Sequence, residues 1–400
     1  MATDRGKEHR FSWSKKGFTL VEVLIATAII LIVIVVLLQV VTSMSSLWQK
    51  STGTIDSFQS ARAAFTTINR SLSRAVLKTY VDYVDANGNP ITNANLTSTY
   101  YTTAAPFARA SDLQFICGPT TQIAPLATPP ANYPGDMVFF QAPMGISTDA
   151  NVAADKYLQR TLNSIGFFVE YGTLPAPGVV PAWLNTALGL AASPPYRFRL
   201  IQYTQPTDRL IIYSKTAAAN YIIDWINGAS GTGAILSPIG VSANFQNTVL
   251  AENVVLLILR PRLEPQDEMT LATPLAVTYG ATTANSIISP NYHYDSRAWW
   301  TGYAFSTTHV ESKPYATYMR NQLPPIVDVA MVAVDPNSLV RLSHTATAPT
   351  VLQVPAGTFT NSANLDADLA AYGAQLTANH IRYRLFRSSV QLEGAAWVNN

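Results

Sequence analysis

Residues 15–22 read Lys15-Lys16-Gly17-Phe18-Thr19-Leu20-Val21-Glu22, and an apolar run follows them to Val41. From 23 to 38 only Thr27 interrupts that run. A stretch of about 20 apolar residues matches the ~30 Å hydrocarbon core of a bilayer. The preceding flank is basic, with Arg5, Lys7, Arg10, Lys15 and Lys16. The positive-inside rule therefore keeps residues 1–16 in the cytoplasm and places the chain from about Ser43 on the other side. A secretory signal peptide fits poorly, because the apolar segment is too long and no small-x-small site follows it. A plain membrane anchor fits the length but gives no reason for Glu22, the only charged residue between Lys16 and Lys50. A carboxylate inside a membrane costs several kcal/mol and normally has a partner. A cut between Gly17 and Phe18 would create such a partner, a new α-amino group one helical turn before Glu22. The competing reading makes Glu22 an ordinary acid at a helix start, where the helix dipole favours it.

Residues 16–26, Lys-Gly-Phe-Thr-Leu-Val-Glu-Val-Leu-Ile-Ala, resemble the N-terminal signature of type IV prepilins and type II secretion pseudopilins. The resemblance implies cleavage after Gly17 by a prepilin peptidase, N-methylation of Phe18, and a structural role in assembly for Glu22. It implies sister pilins or pseudopilins, an inner-membrane assembly platform and membrane lipid as partners. It also implies a single-pass inner-membrane protein with a cytoplasmic N-terminus and a head in the periplasm or on an extracellular filament. Residues 61–83 resemble the J-type minor pseudopilins and W-type minor pilins. The ending Leu77-Lys78-Thr79-Tyr80-Val81-Asp82-Tyr83 is similar to the Verrucomicrobia cassette protein C group. Residues from about 85 to 320 carry no such resemblance.

Composition narrows the rest. Only 12% of residues are charged and the net charge is +2, with no long basic block, so nucleic-acid binding has no compositional support. The 25 prolines suit a loop-rich β domain outside the cytoplasm. The single cysteine, Cys117, cannot form an intramolecular disulfide, and its apolar setting suits a buried core residue.

Four segments follow: a leader at 1–17, a membrane or filament-core helix at 18–42, its amphipathic continuation at 43–80, and a β-rich head at 81–400. Ile55, Phe58, Phe65, Ile68, Leu72 and Val76 recur at helical spacing and form one apolar stripe, expected to pack on the head. Gly53 is a weak point at which a kink or melted turn is expected. The Asn-Gly and Asn-Pro pairs near 85–90 read as a turn. Asp85, Asn87 and Asn89 match the first, third and fifth places of a calcium loop, but Pro90 and Leu96 occupy its Gly and Glu places. Strands are expected at 113–117, 137–141, 164–171, 196–203, 254–260, 326–334 and 381–392, the last with a bulge at 386–388. Short helices are expected near 207–227 and 362–378. The loops at 119–134 and 174–195 read as insertions. A helix followed by mostly antiparallel strands is an α+β, pilin-like arrangement.

Residues 291–300 form the densest aromatic cluster. Tyr292, His293, Tyr294, Trp299 and Trp300 are candidates for a contact loop, because Tyr, Trp and Arg concentrate at interface hot spots. The alternative is a loop folded onto the sheet by its own rings. No His-Glu-x-x-His pair, Gly-x-Ser-x-Gly elbow, Walker loop or dinucleotide fingerprint occurs, and the five histidines are widely spaced. The sequence therefore reads as a non-enzymatic subunit without metal or cofactor: a minor pilin or pseudopilin of a type II secretion or type IV pilus-like filament. A filament-tip adhesin or substrate-binding module is the alternative.

Overall fold

The structure, a computed structural model, describes residues 19–83, 107–123, 132–148, 160–172, 196–213, 224–227, 240–241, 245–265, 267, 277–279, 282–284, 288–289, 291–297, 319–342 and 346–397. The turn expected near 85–90, Gly17, Phe18, Trp299 and Trp300 lie outside the described residues. The chain divides into two compact units, Met1–Gly53 and Thr54–Asn400.

Helix α1 runs unbroken over Leu20–Ser73, 54 residues, which at about 1.5 Å each is roughly 80 Å. Gly53 stays helical, so the melted turn expected there is absent. The helix also ends short of the expected boundary near residue 80. Arg74 and Ala75 donate their N–H groups to the Ser71 and Leu72 carbonyls at 3.2 and 2.9 Å, a tightened last turn. Val76 N–H then leaves the helix for the Gln141 carbonyl at 2.9 Å, and Lys78 takes a positive φ of 45°. Pairing with the sheet thus outcompetes another helical turn.

In the first unit the Leu, Ile and Val side chains of α1 are exposed on all sides. In the second unit the later half of α1 buries Ala61, Ala64, Phe65, Ile68, Ser71 and Leu72. That stripe includes small residues missed from the apolar spacing, while Ile55, expected on it, is 54% exposed. Thr54 turns inward instead and donates to Asp335 Oδ1 at 2.6 Å.

The head carries fourteen strands among the described residues. A seven-stranded antiparallel sheet contains β3 (Ile116–Pro119), β4 (Asp136–Pro143), β5 (Leu162–Gly172), β6 (Arg197–Gln205), β7 (Gly240–Val241), β8 (Gln246–Glu252) and β12 (Tyr294–Asp295). Its order is β12-β3-β4-β5-β6-β8-β7. A three-stranded antiparallel sheet has the order β14-β13-β9, with β9 at Val254–Arg262, β13 at Ile326–Val334 and β14 at Tyr383–Gln391. Hairpins β1 (Tyr80–Tyr83) with β2 (Phe107–Ala110), and β10 (Val277–Tyr279) with β11 (Thr282–Ala284), complete the set. Asn253 is the single residue between β8 and β9, where the chain changes sheets. Its φ of 65° suits Asn, which tolerates the left-handed region, and its side chain donates to Ser57 Oγ on α1 at 3.0 Å.

Aromatic packing fills the centre. The Phe139 ring lies 5.5 Å from Tyr203 and 6.3 Å from both Phe168 and Trp225. Gly166 on the neighbouring strand leaves room for it, since a Cβ there would fall 2.1 Å from the Phe139 ring. On β14, Phe386 packs against Phe65 of α1 at 5.8 Å, and the Arg384 guanidinium sits over the Phe58 ring at 5.4 Å. Arg260 and Arg262 converge on Asp328 at 2.6 and 3.1 Å, tying β9 to β13.

Several expectations change. β13 and β14 pair without interruption from Ile326↔Gln391 to Val334↔Tyr383, so the bulge expected at 386–388 is absent; the register shift falls between Val332 and Ala333, opposite β9. The alternation of β14 looked broken because both its faces pack, Phe386 on α1 and Tyr383 beside Gly373. The helix expected near 207–227 is not continuous. Thr207–Arg209 is one 3-10 turn, Leu210 is extended with ψ 116°, and among the described residues α3 covers Asp224–Asn227. A short α2 at Thr120–Ile123 and an unexpected α4 at Pro336–Leu342 also form. Asp335 caps α4, accepting from Ser338 N–H at 3.3 Å, with Pro336 at its first position. Helix α5, Leu365–Ala378, matches the expected helix near 362–378.

The buried stripe on α1 generates a stability test. Phe65→Ala and Ile68→Ala should each cost about 2–5 kcal/mol, read as a fall in melting temperature of the detergent-purified chain. Unchanged melting for both would show that this face does not pack on the head.

Candidate functional site

The first described residues carry a reciprocal cap. Thr19 N–H donates to Glu22 Oε2 at 2.9 Å, and the Thr19 hydroxyl donates to the same oxygen at 3.0 Å. Glu22 N–H donates back to Thr19 Oγ1 at 3.3 Å. This is a capping box, in which a Thr and the Glu three residues later satisfy orphan N–H donors at a helix start. Thr-x-x-Glu stands in the sequence at 19–22 and is the signal by which Thr19 could be found. The cap gives Glu22 a structural reason that needs no second subunit. Both Thr19 donors go to Oε2, and among the described residues Oε1 accepts no hydrogen bond.

Beyond this cap, α1 is long and apolar enough to cross a membrane. Leu20 is 77% exposed and Trp48 76%, and Val, Ile and Leu between them are exposed throughout. Such a surface belongs in a membrane or against other helices.

The aromatic loop takes another role. Tyr292, His293 and Tyr294 are all buried, so the contact-loop reading fails for these three residues. Tyr294-Asp295 is β12, paired with Cys117 and Ile116 of β3. The Tyr294 hydroxyl donates to the Gln322 carbonyl at 2.9 Å, and its ring meets Phe115 edge-on at 5.8 Å. Asp295 Oδ1 accepts from Gln114 Nε2 at 2.8 Å, and Gln114 Oε1 accepts from Trp225 Nε1 at 2.7 Å. The polar residues that made the loop look solvent-facing are partners in a buried network. Cys117 is fully buried, and burial pushes its thiol well above the ordinary range.

One ionisable group stands out in the head. Asp136, at the start of β4, is 3% exposed and accepts the Leu259 N–H on Oδ2 at 2.7 Å. Burial pushes its carboxyl up to about 8, against the opposing pull of that hydrogen bond and of His293. Sequence reasoning missed it, since nothing local distinguishes Asp136, just ahead of the strand expected at 137–141, from a solvated acid.

A family model described as the prokaryotic N-terminal methylation motif matches residues 14–38. That match supports a prepilin-type protein of a structural filament-subunit kind, processed by a prepilin peptidase and assembling with other pilins. No curated protein and no solved structure matches the chain.

The Asp136 carboxyl yields a pH test. Its folded value lies above the ordinary unfolded value near 4, so its contribution is fully present below the unfolded value and is lost as pH rises through about 8. Wild-type stability should therefore fall between about pH 4 and pH 8, and Asp136→Asn should remove that part of the slope. Urea midpoints across this range check it; identical slopes would mean that the carboxyl is ionised in the fold.

Proposed function

We propose that the chain is a minor pilin or pseudopilin of a type II secretion or type IV pilus-like filament, assembling through its N-terminal helix. The carrying observation is the exposed apolar half of α1 directly behind a prepilin-type motif. In this reading residues 1–17 are removed by cleavage after Gly17, and Phe18 becomes the methylated mature start. Residues 18–42 sit first in the inner membrane and then in a filament core, while the head lies in the periplasm or on the filament.

The energetics suit such a transfer. Leaving the bilayer for a bundle of like helices keeps Leu, Ile and Val side chains out of water at every stage. Glu22 then acts twice. Its Oε2 caps its own helix, and Oε1 is open to the Phe18 ammonium of a neighbouring subunit, which fixes register because an unpaired charge there is costly. The size of the head supports a minor subunit, since such a bulk on every subunit would crowd a helical lattice. A filament-tip adhesin or substrate-binding role is the second reading, favoured by the head cavity described below.

Glu22→Gln tests the assembly role. It keeps size and polarity and removes the charge. Cleavage and head melting should match wild type, while sister subunits co-purified from membranes should fall by about tenfold or more. Wild-type co-purification would show that Glu22 only caps its helix.

A further inference from the structure

A cavity of about 560 Å³ opens in the head where the end of β3, α2, the start of β4, β9 and the segments near 291 and 353–360 converge. That volume lies within the range of roughly 300–1,000 Å³ typical of small-molecule sites. Two rings, Tyr133 and Phe359, line it beside hydroxyl- and amide-bearing side chains that include Thr121, Gln122 and Asn291. Among the described residues no Lys or Arg lines it, and Asp136 is its one carboxyl.

Two features distinguish this cavity from a packing gap. First, polar groups in it have unused capacity. The single hydrogen bond of the Asp136 side chain goes from Leu259 N–H to Oδ2, which leaves Oδ1 without a partner among the described residues. Asp136 is 3% exposed and lines the cavity, and a carboxyl oxygen with an open acceptor site can take a ligand's hydrogen bond. Second, the wall is held in a strained form. Phe359 has φ 53°, a region that bulky L-residues rarely adopt, and its N–H is tied to Asp368 Oδ2 at 2.8 Å. Gly135, also in the lining, has φ 81°, a position that only glycine fills, since a Cβ there would lie 2.2 Å from the Leu257 carbonyl. Such outliers concentrate at ligand sites, where the surrounding fold maintains them.

The chemistry selects the ligand. An anion would need a basic group, and the lining has none among the described residues. A metal cation would need several carboxylate or imidazole ligands, and among the described residues no cluster of three such groups exists, while burial favours the neutral form of the Asp136 carboxyl. A protonated carboxyl, amides and hydroxyls exchange hydrogen bonds with ligand hydroxyls, while flat rings accept the C–H face of a sugar. We propose that this cavity binds a short neutral saccharide, with Tyr133 and Phe359 as stacking faces and Asp136, Gln122 and Asn291 as hydrogen-bonding groups. The proposal does not depend on the assembly role of α1, so its failure would leave that role untouched.

Saturation-transfer NMR on the full-length chain in a sugar-free detergent tests it, with glucose, N-acetylglucosamine, maltose and lactose as probes. At least one probe should receive saturation from the wild-type protein. Thr121→Trp, at an exposed position on the rim, should abolish the signal without lowering the melting temperature. Asp136→Asn, which keeps a neutral hydrogen-bonding group, should bind within about tenfold of wild type. No saturation of any probe overturns the proposal, as does a signal that survives Thr121→Trp. With glucosamine added as a cationic probe, a preference for it over glucose that is lost in Asp136→Asn would define a cation site and overturn the proposal equally.

Discussion

The exposed apolar surface between Leu20 and Trp48 is the constraint on which the rest depends. Burying one Leu, Ile or Val side chain is worth about 1.5–3 kcal/mol, and this stretch carries them on every face. No single chain can satisfy that demand with one helix and a separate head. The segment needs lipid or neighbouring helices, and it needs a start that is already ordered. The Thr19–Glu22 capping box supplies that start by satisfying donors that a bilayer core would leave unmet.

The second half of the same helix obeys the opposite rule. From Ala61 to Leu72 it presents small and apolar residues to the head, and Phe65 against Phe386 anchors it to the three-stranded sheet. Asn253 and Asp335 reach Ser57 and Thr54 and fasten the turns nearer Gly53. At its end, Glu393 N–H donates to the Ser73 carbonyl and Val76 N–H to the Gln141 carbonyl. The helix is therefore built into the head by both side chains and backbone.

The most legible parts of this sequence were those whose physics is local. The motif at 15–22 and the charge-free run behind it are read residue by residue, and the strands at 326–334 and 254–260 announce themselves as buried β-branched runs. The cap at Thr19 is equally local, a Thr-x-x-Glu spacing at 19–22, but a membrane-buried acid explains the same Glu22. What the sequence hid is non-local. Tyr292, His293 and Tyr294 look like a surface loop until Tyr294-Asp295 pairs with β3 and Asp295 finds Gln114, far away in the chain. β8 and the short hairpins carry mixed, polar sequences whose strand character comes from their neighbours. Asp136 gains its unusual state only from burial beneath several segments.

The central claim is that α1 begins, in the working protein, at a new amino group next to its cap. Mass spectrometry of the N-terminal peptide, taken from the chain in its native membrane, tests this most directly. The account predicts a mature start at Phe18 carrying an N-methyl group. An intact Met1 start, or a cut beyond residue 40, would contradict it.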